Sequence, residues 1–425
     1  AMPEITAFHG ITYNPANISR FDDVLCPPYD VIAPDMQCNL YAKSEFNAVR
    51  LELPKEENKY DAAAERLNTW LSTGVLQQDS HEAIYPYHQT FTTKEGKTYT
   101  RKGFIARCRL YEFDKGVVLP HEKTLSGPKK DRLQLFIKTG ANISPIFGLY
   151  GDKEKLADKA LDDFTAKHAP LIDAMDYQQT RNLVWRCTDK DIIEQVQSTL
   201  HDKQLFIADG HHRYETAINY RNLRMAENPN HTGNEPYNFI MMFITNMFDK
   251  GLVIFPTHRL VYGLERFELD GLLDNLKAYF GVQELSEKKK LKEFLALHSH
   301  SAFGLVAKDK IFGIYLASDL DKAIPEAMPK ELKSLDVVLL HHLIIGNMLG
   351  ISEEAQASQT NLNYSKDFDE VFDKVQNGEA QLGFVMNPTS VQEVEAVSRI
   401  GEVMPQKSTF FYPKVLTGVV FNRIT

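Results

Sequence analysis

Residues 205–217 read LFIADGHHRYETA and carry the clearest structural pattern in the chain. The apolar run Leu205–Ala208 predicts a short buried strand, and the Asp209-Gly210 pair breaks it. From His211 to about Met225, apolar residues recur at a helical spacing. The sequence therefore predicts a strand, a glycine turn and a helix in immediate succession.

The start of that helix predicts a phosphate-binding site. The first amides of a helix have no intrahelical partner, and the helix dipole places partial positive charge there. His211, His212 and Arg213 add hydrogen-bond donors for phosphoryl oxygens. Asp209, at the end of the strand, is a candidate ligand for Mg²⁺ or acceptor of a hydroxyl proton. A plain capped helix with structural histidines is the alternative that the pattern leaves open.

The overall composition is that of an ordinary globular protein, with 43% hydrophobic and 25% charged residues in a chain of 425. The formal net charge of −9 disfavours binding to nucleic acid or to an anionic membrane surface. None of the four cysteines forms a CxxC pair, which argues against a zinc ribbon or a disulfide scaffold. Neither a targeting signal nor a membrane span is recognisable, so a cytoplasmic protein is expected.

Strands and helices are mixed along the chain, and hairpins outnumber regular β-α-β alternation. The pattern therefore predicts an α+β, or mixed α/β, fold. The individual predictions are hairpins at 83–92 with 98–113 and at 303–306 with 312–316, paired core strands at 239–248 and 252–255, a buried helix at 336–350 and a last strand at 415–421.

Two further segments combine charged residues with hydroxyl or aromatic groups. In the first, Glu122 lies between His121 and Lys123, and a glutamate beside basic residues suits a general base or a metal ligand. A solvated charge run is the alternative. In the second, Lys407 and Lys414 lie among hydroxyls and aromatics in a proline-bounded loop. That loop suits either an anion site or packing onto the core.

Three other polar residues stand beside apolar runs. Asn142 precedes an apolar strand, and His258 and Arg259 follow Pro256-Thr257. Each is either a site group or a satisfied polar residue of the core. The chain contains no GxxxxGK[ST] loop, no GxSxG elbow and no nucleotide-type GxGxxG, so the familiar nucleotide folds are not supported.

Several segments together resemble a bacterial family, the domain of unknown function 1015. They lie at residues 26–32, 121–132, 142–150, 209–217, 256–259, 335–341 and 404–414. Because these segments span nearly the whole chain, it is identified as a member of that family. The family name itself implies no activity.

The Asp-Gly-His-His-Arg motif at residues 209–213 is also similar to that of archaeal-type free-serine kinases, which belong to the ParB/sulfiredoxin superfamily. ParB proteins carry a related Gly-Glu-Arg-Arg motif at a helix start, where it binds nucleotide phosphates. This resemblance implies a ParB/sulfiredoxin-like core at 81–228, elaborated by α+β regions at 1–80 and 229–425. It also implies phosphoryl transfer from ATP or ADP, with Mg²⁺, to the hydroxyl of free L-serine, giving O-phosphoserine.

The same resemblance implies roles for individual residues. Glu122 and Asp209 become the candidate catalytic residues, and Asp209 also a weak Mg²⁺ ligand. The candidates for binding nucleotide phosphates are Gly210, His211, His212, Arg213, Lys407 and Lys414. The candidates for binding the amino-acid substrate are His121, Lys123, Asn142, His258 and Arg259.

Two other classes of function stay open at this point. One is a ParB-type regulatory module, in which a nucleotide switches a conformation or a homodimer. The other is a hydrolase that holds a metal at His, Asp and Glu positions. The sequence leaves open the acceptor, the oligomeric state and whether the nucleotide is ATP, ADP or CTP.

Overall fold

Strands and helices are interleaved in the computed structural model, which describes residues 2–124 and 126–425. The fold is mixed α/β, as the sequence predicts. The chain forms two compact units. The first comprises Ala1–Pro120, Thr124–Val253 and Pro413–Thr425, and the second His121–Lys123 and Ile254–Tyr412. The division of the chain at residues 80 and 228 stays a prediction.

The strands, in chain order, are β1 (Ile5–Thr6), β2 (Ile11–Tyr13), β3 (Leu76–Gln78), β4 (Tyr85–Thr92), β5 (Thr98–Arg109), β6 (Val118–Leu119), β7 (Ala141–Asn142), β8 (Ile146–Tyr150), β9 (Ile172–Met175), β10 (Arg181–Val184), β11 (Leu205–Asp209), β12 (Phe239–Asn246), β13 (Val253–Phe255), β14 (His258–Val261), β15 (Phe280–Leu285), β16 (Ala302–Ala307), β17 (Lys310–Leu316), β18 (Leu362–Ser365), β19 (Leu382–Met386), β20 (Phe410–Tyr412) and β21 (Asn422–Arg423).

The α-helices are α1 (Pro34–Lys43), α2 (Val49–Glu52), α3 (Lys59–Ser72), α4 (Ser126–Thr139), α5 (Leu156–Lys167), α6 (Lys190–Leu200), α7 (His211–Glu227), α8 (Leu269–Leu276), α9 (Lys288–Leu297), α10 (Leu320–Ala323), α11 (Lys330–Lys333), α12 (Asp336–Leu339), α13 (Glu353–Ala357), α14 (Phe368–Gln376) and α15 (Val391–Arg399). A π-helix, Leu340–Met348, follows α12.

The first unit is built on a mixed nine-stranded sheet in the order β6-β11-β8-β12-β5-β4-β10-β9, with β1 also paired to β5. The β4–β5 hairpin confirms the prediction for residues 83–113. Strand alternation turns Phe104 and Ala106 of β5, with Met242 of β12, towards a core that α5, α6 and α7 complete. The opposite face of the same strands carries Arg101 and Phe243, which bear on the candidate site below.

Two strand predictions for this part of the chain are wrong. Residues 239–248 and 252–255 do not pair with each other, because β5 and β8 already occupy both edges of β12, and β13 pairs with β20. Residues 415–421 form no regular strand: Thr417 and Phe421 make only single bridges, to Cys26 and Ile11. A fully buried apolar run looks the same in sequence whether or not its backbone pairs with another strand of a sheet.

The second unit is built on a six-stranded antiparallel sheet in the order β15-β17-β16-β19-β14-β18. Its β16–β17 hairpin confirms the prediction for residues 303–316. Leu291 and Phe294 of α9, with Val371 of α14, pack against apolar side chains of this sheet. The predicted helix at 336–350 is helical and largely buried, but its second part is the π-helix.

A buried neutral histidine ties two strands of this sheet together. His258 of β14 accepts a hydrogen bond at Nδ1 from the backbone N–H of Met386 in β19, at 3.0 Å. Burial lowers the pKa of His258 to about 4, and the neighbouring charge of Arg259 adds to that effect. Protonation at Nδ1 would remove the acceptor, so the fold requires the neutral ring.

We therefore expect stability to fall at mildly acidic pH. The unfolded histidine has a pKa near 6.5, so between about pH 6.5 and 4 the unfolded chain binds the extra proton, and up to about 3 kcal/mol of stability is lost as the pH falls. Denaturant unfolding at pH 7 and pH 4.5 measures this loss. His258→Asn, which keeps an acceptor near the Nδ1 position, should show a smaller difference, whereas the exposed His201→Asn should behave like the wild type. Equal pH dependence in all three proteins would contradict the assignment.

Candidate functional site

The predicted strand–turn–helix is present and is made possible by Gly210. β11 ends at Asp209, Gly210 takes a left-handed conformation with φ of +92°, and α7 begins at His211. A Cβ at Gly210 would lie 2.9 Å from Cγ2 of Ile146, so both the backbone angle and the space favour glycine. Since the N-cap residue is glycine, it has no side chain with which to cap the first amides of α7.

Asp209 is held as a carboxylate by a lysine from the far end of the chain. Its Oδ2 accepts a hydrogen bond from Lys414 Nζ at 2.8 Å, and its Oδ1 accepts one from the N–H of Gly210 at 2.9 Å. Burial alone would raise the pKa of Asp209, but the charges of Lys414 and Arg213 outweigh burial and hold it far below its ordinary value. A carboxylate with so low a pKa holds a proton poorly at neutral pH. This favours an electrostatic or metal-binding role over that of general base.

Arg213 is largely committed to the protein itself. The residue is 5% exposed, and its Nη1 donates hydrogen bonds to Ser144 Oγ at 2.9 Å and to the carbonyl oxygen of Pro145 at 2.7 Å. Its Nε is buried without a hydrogen-bond partner. Arg213 therefore fixes the start of α7 against the segment before β8. Of the two histidines that precede Arg213, His211 is buried and His212 is partly exposed.

Arg101, which the sequence analysis missed, is a fully buried cation on β5. Its Nη2 donates to Gln89 Oε1, while Nε and Nη1 have no hydrogen-bond partner. The guanidinium carbon lies 4.6 Å from the ring centroid of Phe147 and 5.4 Å from that of Phe243. Burial lowers the pKa of Arg101 to about 10, so it remains charged at neutral pH.

Sheet register places Arg101 and Asp209 on the same face of the first unit's sheet. Asp209 pairs with Phe147, Phe147 with Phe243, and Phe243 with Ile105, which lies on the same face of β5 as Arg101. Arg101 pairs with Gln89. Gln89 Nε2 in turn donates to the carbonyl oxygen of Lys414 at 3.0 Å. Alternation along a strand must turn one residue of the adjacent pair Arg101-Lys102 inward. This pair is the only signal in the sequence for the buried cation.

Glu122 lies in the second unit and holds the loop that contains Lys407. Its Oε1 accepts hydrogen bonds from the backbone N–H groups of Ser408 and Thr409 and from the Thr409 hydroxyl, each at 3.1 Å. His121 Nε2 lies 2.8 Å from the same hydroxyl. The structure thus brings together two segments, around residues 122 and 407, that the sequence analysis had treated separately.

Asn142 and Arg259, two of the other predicted substrate-binding residues, make hydrogen bonds to protein atoms. Asn142 Oδ1 accepts a hydrogen bond from the N–H of Met241 at 3.0 Å. Arg259 donates from Nε to His341 Nε2 and from Nη2 to the carbonyl oxygen of Lys407, each at 3.0 Å. The contacts of Arg259 fit a satisfied core residue, whereas the buried Nδ2 of Asn142 has no hydrogen-bond partner in the described part of the chain, and the substrate-binding role of both stays a prediction.

The predicted site residues are divided between the two units. The first unit contains Asn142, Asp209, Gly210, His211, His212, Arg213 and Lys414, and the second contains His121, Glu122, Lys123, His258, Arg259 and Lys407.

A family model described as a protein of unknown function, DUF1015, matches residues 5–338. The chain belongs to the DUF1015 family. This confirms the family predicted from the resemblance of several segments of the sequence, and the matched range contains all of the strand–turn–helix at 205–227.

Solved structures similar to this DUF1015 chain are distant. A conserved hypothetical protein from Pyrococcus furiosus is 16% identical, with a TM-score of 0.34, and the match covers 71% of this chain and 88% of that one. A mutant free serine kinase in complex with AMP is 13% identical, with a TM-score of 0.36, covering 71% of this chain and 85% of that one. SbnI from Staphylococcus aureus, truncated at its C-terminus, is 10% identical, with a TM-score of 0.33, covering 73% and 85%. No curated protein matches the chain in sequence. At these values the likeness assigns no function.

Asp209 suits a nucleotide-bound Mg²⁺ in its donor chemistry. Such an ion needs only one or two protein carboxylates besides phosphate and water. Each Asp209 oxygen accepts one hydrogen bond here, and a carboxylate has about four acceptor positions, so capacity remains. Across residues 2–124 and 126–425, no group of three or more His, Cys, Asp and Glu side chains is arranged to hold a metal ion. Nor is any helix in those ranges long and apolar enough to cross a membrane.

The Asp209–Lys414 pair should stabilise the first unit more than a surface pair does, because the two side chains are only 22% and 9% exposed. Asp209→Asn should lower the free energy of unfolding by about 2–3 kcal/mol, since it leaves the ammonium without a counter-charge. Adding Lys414→Met should recover part of that loss. Urea unfolding of the two single variants and the double variant gives the coupling energy.

The matched control is the pair Lys102–Asp162, whose side chains are 45% and 49% exposed at a distance of 3.3 Å. Its coupling energy, from Lys102→Met and Asp162→Asn, should stay below about 1 kcal/mol. If the two cycles give the same coupling energy, the buried pair has no special role in stability.

Proposed function

We propose that this DUF1015 protein is a nucleotide-dependent small-molecule kinase that binds phosphate at the start of α7. The leading acceptor is the hydroxyl of free L-serine, with O-phosphoserine as the product. The observation that carries the proposal is the glycine N-cap of α7, where the helix N-terminus, Lys414 and Arg213 concentrate positive charge around Asp209.

The chemistry of that helix start matches the needs of phosphate binding. Backbone amides of the first turn point away from the helix along its axis, and the helix dipole favours an anion there. Lys414 and Arg213 add full positive charges, while Asp209 keeps Lys414 in place. A rigid arrangement of this kind binds the phosphates of a nucleotide without reorganising when charge develops in the transition state.

Phosphoryl transfer depends on positioning and on neutralising charge more than on covalent catalysis. When bound, Mg²⁺ would neutralise the phosphate oxygens, and Asp209 is the residue of the first unit that would hold it. The low pKa of Asp209 suits that role, because its carboxylate stays ionised at every pH at which a kinase works. The acceptor hydroxyl would then lose its proton late, to water or to another residue.

Purified protein, supplied with Mg²⁺, L-serine and either ATP or ADP, should consume the nucleotide and form O-phosphoserine, detected by ³¹P NMR.

Gly210→Ala should lose at least tenfold in nucleotide affinity, because its Cβ enters the space beside Ile146 and the left-handed backbone is strained. Gly116→Ala is the matched control, since Gly116 also has a positive φ, of +69°, but its Cβ would meet nothing within 4 Å.

Two outcomes of this experiment would contradict parts of the proposal, the first the kinase activity and the second the location of the site. Nucleotide binding without turnover, accompanied by a change in oligomer size, would support the regulatory module instead. Equal nucleotide affinity in Gly210→Ala and Gly116→Ala would remove the start of α7 from the binding site.

A catalytic role for Glu122 is tested separately. Glu122→Gln keeps an Oε1 acceptor for Ser408 and Thr409, so the loop should remain folded, but it removes the negative charge. If the carboxylate orients or deprotonates the acceptor hydroxyl, kcat should fall by about 10²-fold or more with little change in melting temperature. A wild-type kcat in Glu122→Gln would restrict Glu122 to holding the loop.

A further inference from the structure

A cavity of about 460 Å³ lies within the second unit, beside the π-helix. Its apolar wall includes Met328, Leu332, Val338 and Ile351, and its polar lining includes Lys123, His341, His342 and Tyr364. Ligand-binding cavities of proteins typically measure about 300–1,000 Å³ and combine an apolar wall with a few polar groups. None of the roles proposed above uses this cavity as a whole.

The π-helix gives the cavity its shape on one side. Residues His341, His342, Gly346 and Asn347 all belong to Leu340–Met348 and all line the cavity. A π-helix is rare and costs stability relative to an α-helix, and it is found disproportionately at functional sites. Its presence next to a cavity therefore points to a constraint other than stability.

One wall of the cavity is fixed by a chain of hydrogen bonds. Arg259 Nε donates to Nε2 of His341, so the proton of that ring is on Nδ1, which donates to Gln356 Oε1 at 2.8 Å. Gln356 Nε2 donates to the carbonyl oxygen of Ile351 at 2.9 Å. Burial, with the charge of Arg259, lowers the pKa of His341 to about 3, so the ring of His341 is neutral at the cavity.

The charged residues that line the cavity include one lysine, Lys123, and one glutamate, Glu353. Within the described part of the chain the ammonium of Lys123 makes no ion pair, whereas His342 lies 2.8 Å from Glu326 Oε2. The acidic member of the lining, Glu353, is exposed in the first turn of α13. Tyr364 adds a phenol whose ring lies against the Arg259 guanidinium, at 5.1 Å. The cavity thus offers the ammonium of Lys123 and the hydroxyl of Tyr364 beside an apolar wall.

We propose that this cavity binds a small monocarboxylate with an apolar body. The carboxylate would accept hydrogen bonds from Lys123 Nζ and the Tyr364 hydroxyl, and the body would lie against Met328, Leu332 and Val338. A single lysine matches the single charge of a carboxylate, whereas a phosphate dianion is better bound by arginine forks or several donors. The site lies in the second unit and does not use the start of α7, although Lys123 is also a candidate substrate-binding residue of the kinase.

Calorimetric titration of the full-length protein tests the proposal with hexanoate and phenylacetate as probes. Both should bind saturably, while hexanamide and phenylacetamide, which have the same shape without the charge, should bind at least tenfold more weakly. Inorganic phosphate at the same concentration should not displace either probe. Absence of saturable carboxylate binding, equal binding of the amides, or displacement by phosphate would each overturn the proposed ligand class.

Variants locate the binding in the cavity. Lys123→Met should weaken hexanoate binding at least tenfold, and Tyr364→Phe, which keeps the ring against Arg259, should weaken it about threefold or more. Lys308→Met, at the exposed β16–β17 turn, is the control and should leave affinity unchanged. Melting temperatures of the three variants show whether each is folded. Wild-type affinity in folded Lys123→Met and Tyr364→Phe would place the bound carboxylate elsewhere.

Discussion

A carboxylate at the end of a largely buried strand needs a positive charge in contact with it, and Lys414 provides that charge for Asp209. The two residues are 205 positions apart in sequence. Gln89 strengthens the attachment by donating to the carbonyl oxygen of Lys414. Through these contacts the last residues of the chain belong to the first unit, although the preceding residues 254–412 belong to the second. The ion pair thereby connects the strand–turn–helix, the central sheet and the C-terminal segment.

Several arginines in this protein serve the fold as internal cations. Arg132 donates to Glu52 Oε1 at 2.7 Å and lies 3.9 Å from the ring centroid of Tyr29, whereas Arg101 has two aromatic rings beside it and no carboxylate in contact in the part of the chain described. A guanidinium tolerates burial better than an ammonium because its planar faces stack on aromatic rings. Two of the family segments therefore contribute to the packing of a buried guanidinium, since Tyr29 lies in 26–32 and Arg132 in 121–132.

The sequence predicted the elements whose signals are local. The strand–turn–helix at 205–227 follows from a change in hydrophobic period and an Asp-Gly break, and both hairpins follow from polar turns between alternating runs. It failed where partners are distant: the neighbours of β12, the irregular run at 415–421 and the partner of Lys414 depend on contacts that no short window contains. The burial of Arg213 was equally invisible, because its acceptors, Ser144 and Pro145, lie almost 70 residues upstream.

The low pKa of Asp209 limits which groups can give the proposed phosphoryl transfer a pH dependence. Lys414 and Arg213 keep the carboxylate ionised throughout the neutral range, so the charge of Asp209 is constant there. A change of rate with pH near neutrality would then arise from the nucleotide phosphates, the acceptor or another side chain. A carboxylate held in this way contributes by fixing charge in place, and the proton must be accepted by a group whose pKa lies closer to that of the medium.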